Sequence, residues 1–389
     1  MRKLARRITD TSKKDFGMFA KAVGLTDPNR DLIHLELGRP YQTTPAHIVE
    51  ATVDALRAGE VHYSDLAGLP DFRAALANKL TTYNRIPVGA DDVLVTNGLT
   101  QASYAAFMAL IDDGDEVILL EPLYPQHIGK IEMAGGTAVS VRLDPAQGYA
   151  LDAARIEAAI TPATKAIVIV NPCNPTGRVY TWAELEGVAD LARRHDLYVI
   201  ADEVYDHIVF DGAEHVSIAT LPGMQERTVS MFAFTKAYAM DGWRLGYLTA
   251  GPDVLPALAK IVATEITHVN TFIQYGGQAA LQGPEQVLLD MVEEDCEKRD
   301  FVVERLNQMP GVICPLPQGT IYAFPDIRAT GLRSQDMADR LLAEVDVVVE
   351  SGAFYGPAGE GHLRVCFGSE SMERLEQAMT RMQRFFNAI

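Results

Sequence analysis

The chain has few cysteines, a shortage of positive charge and no long apolar run. Its widely spaced cysteines match no zinc-binding pattern, so we predict no metal site and reduced thiols in a cytoplasmic protein. The 34 Lys and Arg residues face 52 Asp and Glu, and the net charge of -18 argues against nucleic acid or an anionic membrane as a partner. No stretch reaches the length of a membrane span. What remains is the composition of an ordinary globular protein, with 48% hydrophobic residues.

Nucleotide-binding and secretion signals are also missing. No GxGxxG or GxxxxGK[ST] sequence is present, which argues against a nucleotide-binding enzyme. The start of the chain, at residues 1–19, is basic but lacks the apolar core of a secretory signal. We interpret it as an arm or first helix of the mature protein.

Short apolar runs alternate with helical patterns over most of the chain. Five runs read as buried strands, at 91–98, 115–122, 165–172, 197–203 and 228–236. Amphipathic stretches such as 181–196 lie between them, and this alternation predicts an α/β fold with a largely parallel sheet. The last third differs: a charged helical pattern (285–309) precedes short extended pieces and a final amphipathic helix (372–386). We therefore predict a large domain at 46–280 and a smaller α+β domain made of 1–45 and 281–389.

Residues with chemical function follow several of the predicted strands. Because parallel strands end at one edge of a sheet, these residues are expected to meet there: Gly98, Leu99, Thr100, Tyr124, Asn174, Asp202 and Lys236. Lys236 sits in a mostly apolar run, where an ammonium costs several kcal/mol unless it is paired or deprotonated. Either it reaches the surface from a strand end, or it is an amine kept reactive for a Schiff base. An amine, a strand-end carboxylate and an anion-binding turn are the parts that pyridoxal phosphate requires.

Three motifs carry a resemblance to a known family. They are NPCNPTG (171–177), ADEVY (201–205) and FTKAYAMDGWRLGY (234–247). In order and spacing they resemble the motifs of class I/II aminotransferases, which belong to the fold-type I pyridoxal-phosphate enzymes of the aspartate aminotransferase superfamily. The resemblance covers nearly the whole chain. It implies a mainly parallel, seven-stranded-type sheet flanked by helices, with a smaller α+β domain.

The resemblance implies roles for the residues around the cofactor ring. Lys236 would hold pyridoxal 5'-phosphate as an aldimine and move a proton between the substrate Cα and cofactor C4′. Asp202 would keep the pyridine nitrogen protonated, although by position alone it could equally be a helix N-cap. Asn174 and Tyr205 would bind the ring's 3-oxygen, and Tyr124 would stack on the ring.

The resemblance also implies a phosphate site that is partly shared between subunits. Gly98, Leu99 and Thr100 would bind the phosphate at a helix N-terminus, and Arg244 would add positive charge. Tyr63 would reach the phosphate of the neighbouring subunit, which implies a homodimer with shared active sites. Many family members carry a serine where this chain has Ala233, so one phosphate hydrogen bond is expected to be missing.

Substrate binding and reaction type leave alternatives open. Arg364, in HLRVCFG (362–368), is implied to bind the substrate carboxylate, and Gly38 to approach the substrate. Arg39 could face a distal carboxylate or lie at the surface. Some bacterial aspartate aminotransferases have a lysine where Thr100 stands, which weakens a dicarboxylate preference, and residues 203–223 and 326–344 resemble members using basic or broad donors with pyruvate. We predict transfer of an amino group from an amino acid to a 2-oxo acid.

Two other functions compete with aminotransfer. A C–S β-lyase or related elimination enzyme could use the same parts, and it is the alternative. A regulator that fuses this fold to a DNA-binding module would need a basic helix-turn-helix region, for which the acidic sequence has no room.

Overall fold

Strands and helices alternate along the chain as the sequence predicts. The computed structural model describes residues 4–9, 11, 17–24 and 30–389, so much of the predicted N-terminal arm lies outside the described residues. The described strands are β1 (Ile33–His34), β2 (Val93–Thr96), β3 (Glu116–Glu121), β4 (Thr137–Arg142), β5 (Thr164–Val170), β6 (Tyr198–Asp202), β7 (Thr228–Ala233), β8 (Gly246–Thr249), β9 (Tyr322–Ala323), β10 (Val347–Val348), β11 (Glu350–Ser351) and β12 (Leu363–Cys366). The described α-helices are α1 (Arg6–Thr9), α2 (Gly17–Val23), α3 (Ala46–Ala58), α4 (Pro70–Thr82), α5 (Gly98–Leu110), α6 (Gln126–Met133), α7 (Ala153–Glu157), α8 (Trp182–Arg194), α9 (Leu255–Ile266), α10 (Thr271–Gln282), α11 (Glu285–Asn307), α12 (Ser334–Val345) and α13 (Met372–Phe386).

A seven-stranded sheet forms the centre of the molecule, with the order β2-β8-β7-β6-β5-β3-β4. All neighbours are parallel except β8, which runs antiparallel to both β2 and β7. The predicted runs correspond to β2, β3, β5, β6 and β7, which confirms the α/β fold. Because β8 returns between β7 and β2, the segment that links β7 to β8 lies beside the turn that follows β2.

Local signals in the sequence define the helices on both sides of this sheet. Helix α8 begins with a capping box, in which the Thr181 hydroxyl accepts from the Glu184 N–H and the Glu184 carboxylate accepts from the Thr181 N–H. Apolar clusters cover each face of the sheet; Ile167 and Val199 belong to one, and Val168 and Ile200 to the other. Strands buried on both faces explain why they read as continuous apolar runs.

Two small sheets and helices α11–α13 pack around a separate apolar cluster. Strand β12 lies antiparallel between β11 and β9, while β1 pairs in parallel with β10. Strand β1, the first strand of the described chain, is thus paired with β10, which lies more than three hundred residues later in the sequence. The domain limits at residues 46 and 281 stay predictions.

No helix among the described residues combines the length and apolar character needed to cross a membrane.

Candidate active site

A cavity of about 560 Å³ lies at the carboxyl ends of the central strands. Most of the residues that the sequence singles out line it: Gly38, Leu99, Thr100, Tyr124, Asn174, Asp202, Tyr205, Lys236, Arg244 and Arg364. Gly98 lies just behind the wall, against Arg244. Tyr63 is not part of the wall, since its side chain is 90% exposed. The structure therefore brings together every predicted site residue except Tyr63.

Lys236 follows the end of β7 and points into this cavity. Its Nζ donates to the backbone carbonyl of Gly38, and it forms no ion pair with a described residue. Burial lowers the pKa of the Lys236 amine to about 8. The lowered pKa increases the neutral fraction of the amine near physiological pH, and the neutral form is the one that acts as a nucleophile.

Asp202 ends β6 on the floor of the cavity and is almost fully buried. The helix N-cap alternative is wrong, because no helix begins there; one carboxylate oxygen accepts the Val204 N–H over 3.3 Å. Its other oxygen lies 3.5 Å from Nε2 of His127, a residue that the sequence analysis missed. Burial lowers the pKa of His127, which favours the neutral ring beside the carboxylate.

The turn after β2 and the segment after β7 together form an anion site. Gly98 is the first residue of α5 and has a φ of 76°, and a Cβ there would stand 2.8 Å from Arg244 Nη2. Glycine therefore lets the guanidinium approach the N-terminus of a 13-residue helix. Arg244 is oriented by its Nη1, which donates to the Asp241 carbonyl over 2.8 Å. A helix N-terminus next to a guanidinium is suited to a phosphate.

Arg364 projects from β12 into the opposite side of the cavity and is 6% exposed. Its Nη1 donates to Asn174 Oδ1 over 3.2 Å and its Nη2 to the Glu36 carbonyl, while its Nε has no partner among the described residues. The guanidinium also stacks over the ring of Tyr322, 4.2 Å from its centroid. Its position is thus fixed while hydrogen-bonding capacity for a carboxylate is left over.

Two tyrosines define the ring side of the cavity. The hydroxyls of Tyr205 and Tyr322 lie 2.7 Å apart and share a hydrogen bond. Burial raises the pKa of Tyr322 to about 12 and that of Tyr205 as well, so both keep their protons. Gly38 is packed against Tyr322, where a Cβ would overlap the hydroxyl.

Four further cavity residues escaped the sequence analysis: Lys130, Tyr322, Glu350 and Tyr355. Glu350 pairs with Arg364 in the β11–β12 register, and burial raises the pKa of its carboxyl to about 7. Its side chain accepts the backbone N–H of Met18 over 3.1 Å. Arg39, in contrast, is exposed and does not line the cavity.

The residues present fit pyridoxal phosphate. They supply a buried amine, a buried carboxylate, an anion site and two glycines whose missing Cβ atoms keep the walls open. The unpaired Nε of Arg364 adds a donor on the substrate side.

Comparison with known proteins agrees with this geometry. The profile of the family described as "Aminotransferase class I and II" matches residues 30–382. An aspartate aminotransferase of Pyrococcus abyssi is 38% identical over 91% of this chain and 92% of its own. Aromatic-amino-acid aminotransferase 2 of Thermococcus litoralis is 37% identical over 91% of both chains. A solved structure of a Thermus thermophilus aspartate aminotransferase mutant superposes with a TM-score of 0.93, at 35% identity, over 99% of this chain and 100% of that one.

The chain belongs to the class I and II aminotransferase family. It is a transaminase that uses pyridoxal phosphate, and the predicted family, fold class and cofactor are confirmed. The elimination alternative is not favoured, because these relatives are named as aminotransferases.

Proposed function

We propose that this chain transfers the amino group of an amino acid with a neutral or cationic side chain to a 2-oxo acid, in a homodimer. The observation that carries the proposal is the arrangement of one cavity. Lys236 shares this cavity with Asp202 and Arg244, which suit the cofactor, and with Arg364, which suits a carboxylate.

Each residue around the cofactor ring would have a different role. Pyridoxal phosphate, when bound, supplies the aldehyde that takes up the amino group and the ring that accepts electrons from the substrate Cα. Asp202, buried next to a neutral His127, holds the proton on the pyridine nitrogen. Tyr205 and Asn174, which line the same cavity, would donate to the ring's 3-oxygen, and Tyr124 would pack on the face of the ring.

Lys236 anchors the cofactor and then transfers protons. Its lowered pKa supports both roles: a neutral amine would bond to the aldehyde carbon with loss of water and, once the substrate amino group had displaced it, would accept the proton from the substrate Cα. The hydrogen bond from Nζ to the Gly38 carbonyl keeps the amine on the substrate side of the cavity. The same amine would deliver the proton to C4′ of the cofactor.

Arg364 binds the carboxylate that amino acids and 2-oxo acids have in common. Asn174 and the ring of Tyr322 hold the guanidinium, so the carboxylate meets a preorganised partner. Gly38 leaves space for the substrate backbone next to it. A fixed carboxylate orients the Cα–H bond toward Lys236.

The donor preference follows from the charges left in the cavity. Its described cationic lining residues are Lys130, Lys236, Arg244 and Arg364. Lys130 is bound to Ser103, one turn into α5, and the other three have the roles given above. Besides Asp202, the lining contains the carboxyl groups of Glu36, Asp241 and Glu350. Although Glu350, with a pKa of about 7, carries only part of its charge near neutral pH, this acidic lining disfavours a second substrate carboxylate. Arg39 is not placed to offset them.

The dimer is supported by what surrounds Tyr63. Its side chain is 90% exposed, and Val61 and Leu66 close to it are 54% and 53% exposed. An exposed aromatic and aliphatic group of this kind suits the interface of a second copy, to which Tyr63 would bring its hydroxyl. We also propose a cytoplasmic location, which the four unpaired cysteines support.

A donor panel tests the proposal. The holoenzyme is assayed with basic, aromatic, aliphatic and acidic amino acids against pyruvate and 2-oxoglutarate, and wild type is compared with Glu350→Gln. We expect kcat/KM for the best neutral or basic donor to exceed that for aspartate by at least about tenfold, equivalent to about 1.4 kcal/mol. A preference for aspartate would refute the donor class. Steady release of ammonia and pyruvate from cysteine without transfer would favour the elimination alternative, and a fully active monomer in sedimentation would refute the dimer.

A further inference from the structure

A second lysine reaches the active-site cavity, and none of the roles above uses it. Lys130 lies in α6 and lines the cavity together with Thr100 and Arg244. Its Nζ donates to Ser103 Oγ over 2.6 Å. It forms no ion pair with any residue in the described part of the chain. The cation is therefore held in the cavity by a hydroxyl, and the carboxylate of Asp202 acts on it only from beyond contact distance.

Ser103 connects this lysine to the anion site. The Ser103 oxygen lies 2.9 Å from the Leu99 carbonyl oxygen and 3.1 Å from that of Thr100. A lysine ammonium can only donate, so Ser103 accepts from Lys130 and gives its own proton to one of the two carbonyls. This direction of hydrogen bonding fixes the ammonium one helical turn from the residues that begin α5.

An anion in the cavity would remove the cost of keeping this charge there. Burial lowers the pKa of Lys130 to about 8, while the negative charge of Asp202 opposes the shift. An unpaired cation in a poorly solvated cavity is destabilising, and a bound anion offsets that cost.

We propose that Lys130 is a direct cationic partner of the cofactor phosphate, held in place by Ser103. The proposal rests on the phosphate position proposed above, at Gly98–Thr100 and Arg244. It makes the phosphate site of this chain one with two cations, Lys130 and Arg244. The two approach from different elements, since Lys130 belongs to α6 and Arg244 to the segment between β7 and β8.

The test compares two forms of the cofactor that differ only in the phosphate. Apoenzyme is titrated with pyridoxal phosphate and with pyridoxal. The dissociation constant of pyridoxal divided by that of pyridoxal phosphate is the phosphate discrimination, and it measures the contribution of the phosphate. For Lys130→Met we expect this ratio to fall by about tenfold or more, the loss of one charge-assisted hydrogen bond. Pyridoxal affinity should stay within about twofold of wild type, because no phosphate is involved.

Three other variants separate charge from structure. Lys130→Arg keeps a cation and should retain most of the discrimination. Ser103→Ala keeps the charge but removes its anchor, so a smaller loss of about threefold is expected. Lys165→Met is the matched control, because this lysine stands over the Tyr198 ring, with its Nζ 5.9 Å from the ring centroid, and does not line the cavity.

Each outcome either supports or refutes the proposal. If Lys130→Met weakens pyridoxal and pyridoxal phosphate equally, Lys130 acts on the ring or the fold, and the proposal is refuted. Arg244→Leu tests the underlying phosphate position separately. If Arg244→Leu loses phosphate discrimination and Lys130→Met does not, the phosphate position stands and only the role of Lys130 is refuted. If neither variant loses discrimination, the proposed phosphate position is wrong. Should Lys130→Met fail to fold, Lys130→Gln is titrated in the same way, and unchanged discrimination by it is contrary to the proposal.

Discussion

Replacing Gly38 by alanine tests whether the Tyr205–Tyr322 pair controls substrate binding. A Cβ at Gly38 would overlap the hydroxyl of Tyr322 and lie 3.0 Å from its Cζ, where an ordinary contact begins at 3.4 Å. The end of the ring must therefore retreat by on the order of 1 Å, since a packed interior does not absorb such an overlap. That movement lengthens the 2.7 Å hydrogen bond to Tyr205.

The size of the expected loss in activity follows from the contacts of the displaced Tyr322. Tyr322 is 1% exposed and carries the Arg364 guanidinium over its ring, so its retreat disturbs the carboxylate site as well as Tyr205. Leaving a buried hydroxyl without its partner costs about 1–3 kcal/mol. We expect kcat/KM for the amino donor to fall by about tenfold to a hundredfold, because 1.4 kcal/mol corresponds to a factor of about ten. The free energy of unfolding should fall by about 1–3 kcal/mol.

The assay is steady-state kinetics with donor and acceptor varied separately, together with denaturant unfolding. Gly129→Ala is the matched control: a Cβ at this position within α6 meets no atom within 4 Å. This control should keep wild-type kinetics and gain about 0.5–1 kcal/mol of stability from reduced backbone freedom. A Gly38→Ala enzyme with wild-type kcat/KM would refute the argument, because the overlap would then be absorbed without effect on the site.

The remaining predictions concern three side chains of the cavity. Lys236→Ala should lose the yellow, borohydride-reducible cofactor bond; mass spectrometry of reduced wild type should find the label on Lys236, and a label on another lysine would contradict the assignment. In wild-type apoenzyme, the rate of pyridoxal uptake should rise with pH through about 8 and then level off, because only the neutral amine reacts; a rate independent of pH would argue against the lowered pKa. Asp202→Asn should still bind the cofactor but lose at least about a thousandfold in kcat, since an amide does not stabilise a protonated pyridine; turnover within a factor of about ten of wild type would rule the role out. Arg364→Leu should raise KM for amino and 2-oxo acids alike, by about tenfold or more, and a change for only one of them would show that the carboxylate binds elsewhere.

The sequence predicted the placement of cavity residues best at positions where a strand ends. Asp202 and Lys236 follow continuous apolar runs, and parallel strands bring such ends to one edge of the sheet, so the order of residues alone predicts that they meet. Strands β4 and β8 were missed for a physical reason. The first is half-exposed and lacks a continuous apolar run, and the second is four residues long and begins with glycine.

The missed site residues depend on rotation and register, which one sequence does not specify. His127 and Lys130 lie on the same face of α6, but which face turns to the cavity depends on how that helix packs. Tyr322 and Glu350 come from strands of two residues, where a shift of one position would turn either side chain away. Tyr63 remains a prediction, since a second chain would decide it.

The pairing of β1 with β10 has a consequence for the order in which the enzyme is built. Arg364 donates to the carbonyl of Glu36, and 328 positions separate the two residues along the chain. During synthesis the segment carrying Gly38 emerges before the rest of the site, but it finds its partner strand β10 only after Val347 and Val348 have been made. The residues that this chain itself contributes to the cofactor half of the site, from Gly98 to Arg244, are made much earlier. A nascent chain can thus contain its own cofactor-binding residues well before the substrate carboxylate site at Arg364 has formed.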